Sequence, residues 1–415
     1  MRLRDIYLLM AAAAMGGCAD IDYMPDEPRG AVTITATITD EGASTRTCIE
    51  TQNTGKGYLG VMWQSGDKIG VFGDGSTQNA CFTSKAAGKT AEFAGDMSGD
   101  KPKHAYYPYS TDNNGKAANT LTGTVPEEQP YDANGTLTAD YKYGEPVSGK
   151  TNEFVFQHLF SMLRITVDAA NTNLAGETLE SITLTFTDSD DNERAVNGKF
   201  TFSAINGTYG NVTEGSNKVV MPWKHTPKLD SEQMGFVTVM PTVKKGDKIA
   251  VEVVTSGHRV SFTAPCLTDF VKENVYNIPL TLANYASQAE KFGYKVTERP
   301  TISAFSFTVA KNTGKILSKQ VYWNTNTSLF QKQGPKTSDV TQLNANINGS
   351  EITLTIPYLF DFNLTPTFTA TAGAKVTVND VEQTSGVTQV DFTQPVTYKV
   401  SLGGEMHEYT VKIVN

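Results

Sequence analysis

The sequence predicts an all-β protein made of β-sandwiches. Three observations carry that reading. Runs of alternating apolar and polar residues recur along the chain, among them DKIGVFGDG, ESITLTFTDSDD, GKFTFSAINGTYG, DKIAVEVVTSG and HRVSFTAP. A period of two is that of a strand with one buried face. The runs are separated by GDG, DNNG, SDDN and INGT, the residue types that hairpin turns require. Helical periodicity is scarce, and its best stretch, TLANYASQAEKFGY from Thr281 to Tyr294, is short. Strands at this density indicate sandwiches.

The chain opens with MRLRDIYLLMAAAAMGGC. Arg2 and Arg4 precede an apolar run from Ile6 to Met15, followed by small residues and Cys18. Residues 1–17 read as a signal peptide, too short to span a bilayer as a stable helix. The Gly16-Gly17-Cys18 ending resembles a bacterial lipobox, with Met15 where Leu is usual. That resemblance implies a lipid on Cys18. Residues 18–31 are acidic and contain proline, and read as a flexible tether.

The first strand comes at once. In VTITATIT, Val32, Ile34, Ala36 and Ile38 point one way and Thr33, Thr35, Thr37 and Thr39 the other. Behind it lies GASTRT, a small, polar stretch carrying the lone basic residue Arg46, the kind of exposed loop that proteases cut. From Thr111 to Lys150 the chain is polar and rich in Gly, Asn and Pro, then turns apolar at Phe154. We place one boundary near 150, which gives a first sandwich over 32–150 and a second over 151–285. The stretch 286–300 reads as a linker ended by Pro300, and a fresh strand pattern occupies 301–415. It closes with VTYKVSLGGEMHEYTVKIV, two strands around a Gly-Gly turn.

Composition excludes several classes. A chain of 415 residues is too long for one core. Its net charge of −9 disfavours a nucleic-acid partner. No later segment is long and apolar enough to cross a membrane, so membrane contact is expected through the lipid alone. Of the four cysteines, Cys48 and Cys81 could pair after export, but buried free thiols are favoured for Cys48, Cys81 and Cys266.

Three blocks carry a family resemblance: MWQSGDKIGVF, the AYYPYS segment from Ala105 to Ser110, and FVFQHLFSMLRITV. In their order and spacing, across roughly Val32 to Ala283, they resemble the fimbrillin-like family of Bacteroidetes surface lipoproteins. Trp63, Gly66-Asp67 and the run Ile69 to Phe72, with Phe156-Gln157-His158 leading into Met162-Leu163, are the most specific parts. The resemblance implies two transthyretin-like β-sandwiches and a place among pilins or pilus-associated adhesins. It also implies that an Arg-specific protease cuts at Arg46 and removes the strand bearing Val32, Ile34, Ala36 and Ile38. Another pilin subunit would then add a strand in its place. The C-terminal part resembles an Ig-like module of the same surface proteins, on ISAFSF, GSEITLTIPY and SGVTQVDFTQPVTYKV.

Motifs that invite an enzyme reading fail on context. GEPVSGKT, Gly144 to Thr151, fits the phosphate-loop pattern, yet the residues after Thr151 read as strand rather than helix. GKGYLG, Gly55 to Gly60, fits the dinucleotide fingerprint but does not lead into a helix. DSDDN, Asp188 to Asn192, begins like a calcium loop, with Glu193 where Gly is needed and Lys199 where Glu is needed. The histidines are scattered, and His158 reads as a satisfied core or turn residue. Tyr106, Tyr107 and Tyr109, interrupted by Pro108, form the densest aromatic cluster. Successive strand residues face opposite sides, so Tyr107 and Tyr109 share a face and are the candidates for stacking on a sugar, with core or edge packing the commoner use of such residues.

No catalytic residue, metal site or cofactor is nominated. The expectation is a non-enzymatic, surface-exposed lipoprotein of the outer membrane: a pilin-like subunit, or a tip or accessory adhesin. The alternative is a surface glycan-binding lipoprotein of a polysaccharide-utilisation system.

Overall fold

The computed structural model describes residues 30–38, 48–49, 61–97, 99–133, 135–316, 320–324, 329–333, 341–356 and 359–414. Cys18, expected to carry the lipid, Arg46, expected to be the cleavage point, and the GKGYLG stretch lie outside them. The protein is almost wholly β among these residues, with short helices at Leu282–Ser287 and Ala289–Phe292.

Seven strands form the first unit: β1 (Gly30–Ile38), β2 (Lys68–Phe72), β3 (Ala80–Ser84), β4 (Thr90–Met97), β5 (His104–Tyr107), β6 (Lys142–Pro146) and β7 (Glu153–His158). The sandwich closes at both edges into one barrel, in the order β1-β7-β6-β5-β2-β3-β4 and back to β1. β1 runs antiparallel to β4, from Gly30 opposite Met97 to Thr37 opposite Thr90. On its other side it runs parallel to β7, from Thr35 opposite Glu153 to Ile38 opposite Phe156. The cut expected near 150 falls in the turn between β6 and β7, which pair with each other. The chain therefore leaves the barrel after His158 rather than at 150, because β1 needs β7 as its second neighbour.

In the second unit the three-stranded sheet Gln233–Val239, Ser161–Asp168 and Val275–Thr281 packs on five strands, Lys218–Pro222, Leu179–Thr187, Lys248–Thr255, His258–Pro265 and Lys295–Glu298. Their inner faces form one core, with Leu163, Ile165, Ile182, Phe186 and Val253 fully buried. The stretch expected as a linker is folded onto this sandwich. Tyr294 stacks on Phe262 at 6.1 Å between centroids, and Lys295–Glu298 pairs with His258–Pro265.

Between the two units lies a seam. Phe72, Tyr106 and Tyr143 from the outer face of the barrel meet Phe200, Phe202 and Leu121 of a small sheet made by Leu121–Val125, Gly198–Phe202 and Tyr209–Thr213. The C-terminal module sets Gln342–Asn344, Ile302–Thr308 and Thr367–Ala370 against a six-stranded sheet whose centre is Glu405–Val414. Its last hairpin turns at Gly403 and Gly404, both at positive φ, as the Gly-Gly pair predicts.

Candidate functional site

The candidate site is β1 and the groove that holds it. Alternation puts Ile34, Ala36 and Ile38 inside the barrel, each fully buried, with Val32 half-buried at the end of the row. The threonines face outward, and Thr37 Oγ1 meets Thr90 Oγ1 of β4 at 3.0 Å. Below the row lie Trp63, Phe82, Phe93, Phe154 and Phe156, all buried. Trp63 holds β1 directly: its indole Nε1 donates to the Ala36 carbonyl at 3.0 Å. Its ring is edge-on to Phe93, Phe156 and Tyr107, with centroids 5.0, 5.1 and 5.4 Å away. Two blocks far apart in sequence, around Trp63 and around Phe156, thus converge beneath the first strand.

A buried polar cluster supports this floor. Lys142 Nζ pairs with Asp140 Oδ2, and His158 Nδ1 meets Asp140 Oδ1 at 2.7 Å. Lys142 is fully enclosed, its ammonium 4.8 Å from the Tyr107 ring centroid and 5.5 Å from that of Trp63. Burial would push the Asp140 carboxyl up, but Lys142 and His158 outweigh it and hold it below the usual carboxylate range. Burial pushes Lys142 down against the pull of Asp140, and His158 down likewise. His158 is the satisfied core histidine the sequence suggests. Its partner Asp140 escaped notice, because LTADYKY reads as a polar, broken stretch and the pairing is made only when β6 meets β7 in register.

The two tyrosines do not form a stacking pair. The strand ends at Tyr107, at the cis Tyr107–Pro108 peptide, so Tyr109 does not continue the alternation. Tyr107 is turned into the barrel, its ring against Trp63 and its hydroxyl 3.5 Å from Asp67 Oδ1. Tyr106, the third tyrosine of that cluster, carries the denser network: its hydroxyl lies 3.2 Å from both Asn79 Oδ1 and the Ser110 carbonyl, sharing its one proton between them, and accepts from the Ser110 backbone N–H.

The enzyme-like motifs resolve into turns. GEPVSGKT is the β6–β7 hairpin: Val147 N–H donates to the Glu153 carbonyl at 2.9 Å, and exposed Lys150 pairs with Glu153 at 3.2 Å. A strand comes next where a phosphate loop needs a helix. In DSDDN, Asp188 Oδ1 accepts the backbone N–H groups of Asp190 and Asn192, both at 2.9 Å, and Asp191 pairs with Lys248. Cys81 and Cys266 are free thiols.

The family model described as fimbrillin-like matches residues 45–298, more than half of the chain. The chain belongs to the fimbrillin-like family. A second model, described as the N-terminal part of SGBP, matches residues 334–413 of this fimbrillin-like chain. Three solved structures, each described as that of a candidate cell adhesion protein, are similar. The one from Bacteroides ovatus is 14% identical and covers 66% of this chain and 96% of its own, with a TM-score of 0.42. The one from Bacteroides fragilis is 12% identical, covering 64% and 97%, with a TM-score of 0.31. The one from Bacteroides eggerthii is also 12% identical, covering 61% and 87%, with a TM-score of 0.28. No curated protein matches the chain.

Proposed function

We propose that this protein is a non-enzymatic, cell-surface subunit of a pilus-like assembly, at a tip or accessory position, that joins a neighbour by strand addition in the groove under β1. One observation carries the reading. β1 alone bridges β4 and β7, and it contributes a single inward row. Its loss would leave two unpaired strand edges flanking a continuous apolar floor, which is what an added strand needs: main-chain partners on each side and pockets for alternate side chains. Membership of the fimbrillin-like family supports the same role. The proposal includes lipidation at Cys18, release of β1 by an Arg-specific protease at Arg46, and display at the outer membrane.

The test is limited digestion with an Arg-specific protease, followed by mass spectrometry and a pull-down with candidate subunits. A cut at Arg46 and capture of a subunit through its strand are expected. Resistance at Arg46 in the folded protein, or a trimmed form that melts unchanged and binds no strand, would overturn the processing mechanism.

A second reading has its own support in the C-terminal module. The SGBP match covers 334–413. Within the module a groove of about 280 Å³ runs between Ser303, Ser306, Gln342 and Asn344, hydroxyls and amides of the kind that hydrogen-bond to sugars. Retention on immobilised glycans with no subunit capture would favour this reading.

A further inference from the structure

Resting on the strand-addition reading, we infer that the groove selects its incoming strand by size at one position: Ala or Gly where Ala36 sits, with branched aliphatic residues two places before and after. Register defines three levels along the inward row. Ile34 lies opposite Phe93 of β4. Ala36 lies between Ala91 of β4 and Phe154 of β7. Ile38 lies opposite Phe156 of β7.

Trp63 bonds to β1 at the middle level, its Nε1 donating to the Ala36 carbonyl at 3.0 Å. The ring has nowhere to retreat. Phe93, Phe156 and Tyr107 meet it edge-on, Lys142 sits 5.5 Å from its centroid, and it is fully buried. Ala36 and Ala91, side by side and both buried, leave the room that an indole takes up. Any residue can offer the carbonyl that Trp63 bonds, so the hydrogen bond fixes register and the space beside the ring fixes identity. A slip of one residue would turn threonines into the core. A slip of two would bring Ile34 or Ile38 against Trp63, where extra methylenes in a packed core are destabilising. The partner strand that fits is extended, runs parallel to β7 and antiparallel to β4, and repeats the pattern of Ile34, Ala36 and Ile38 with polar residues between.

The probe is the nonapeptide GAVTITATI, residues 30–38, labelled and offered in excess to the full chain nicked at a protease site inserted between β1 and Cys48. The native peptide should exchange into the groove, as read by native mass spectrometry. The same peptide with Ala36→Leu should bind at least about tenfold more weakly. In a chain with Trp63→Leu the two peptides should come within about threefold of each other. Equal binding of both peptides to the wild-type chain would overturn the size rule and leave strand addition standing. Failure of the native peptide to exchange into a nicked chain that stays folded would overturn strand addition itself, and the size rule with it. If the Trp63→Leu chain does not fold, the peptide pair on the wild-type chain decides alone.

Discussion

Lys142 is a residue that a hydrophobic barrel excludes unless it is paired, and its neighbours explain its presence. An ammonium removed from water is held only if a counter-charge and further polar contacts meet it. Asp140 supplies the charge, His158 binds the other oxygen of that carboxylate, and the faces of Tyr107 and Trp63 supply the cation–π contact. Lys142→Met would therefore strand Asp140 as a buried carboxylate and cost roughly 3–5 kcal/mol. The double variant Lys142→Met with Asp140→Asn should be less damaged than the single one, since the amide can still bond His158 without a charge. Urea denaturation of the wild type, the two single variants and the double variant gives the comparison. A double variant as unstable as the sum of its parts would mean that the pair is not coupled. The sequence hid this cluster for a physical reason. Asp140 and Lys142 are two apart in a stretch that looks solvated, and only the pairing of β6 with β7 and the approach of Trp63 enclose them.

At the scale of the element, β1 is a strand whose two faces do different work. Its inward side chains fill the barrel and its outward threonines meet solvent and β4. Ile34→Ala should cost roughly 2–5 kcal/mol, the transfer term plus the cavity left beside Phe93. Thr33→Ala, at an exposed position, should stay within about 0.5 kcal/mol. Chemical denaturation of both variants checks the contrast, and equal effects would mean that the strand is not seated by its inward row. The direction of this row was legible, because a period of two leaves no choice once one face is buried. Its two neighbours were not. Parallel pairing with β7 joins residues more than a hundred positions apart, and no local pattern in VTITATIT indicates it. The phosphate-like loop shows the converse. Local context alone was enough to reject it, since the residues after Thr151 alternate as a strand must.

For the whole molecule, the junction between the second sandwich and the C-terminal module is polar and buried. Arg299 donates to Glu180 Oε2 at 2.7 Å and to the Thr255 carbonyl, and Arg259 reaches Glu405 of the module at 3.0 Å. His407 of the module sits beside them, 3.0 Å from Ser350 Oγ and 3.8 Å from Glu180. Burial first, and the Arg299 guanidinium second, push its imidazole down to about 3. The folded state thus holds a neutral histidine that the unfolded chain would protonate near pH 6.5. This contribution is fully present above about pH 6.5 and is lost as pH falls toward 3, by up to about 1.4 kcal/mol per pH unit. His407→Gln should flatten the loss of stability between about pH 6.5 and 4, measured by urea titration at each pH. His158, lowered in the same direction, leaves a residual slope. An unchanged slope would show that His407 does not titrate on unfolding. At the other end of the chain, Cys18→Ala should release the protein from membranes, and unchanged membrane fractionation would overturn the proposed lipid anchor.

The all-β class, the inward row of β1, the closing Gly-Gly hairpin and the family were legible in the chain, because these depend on short-range period, turn chemistry and local blocks. The assembled fold alone settles that the first sandwich closes into a barrel through β1 and that Trp63 bonds the Ala36 carbonyl. It also settles that Asp140, Lys142 and His158 meet, and that the expected linker folds back as strand. Those features arise from contacts between residues distant along the chain, and alternation specifies which face of a strand is buried but not which strand will lie beside it.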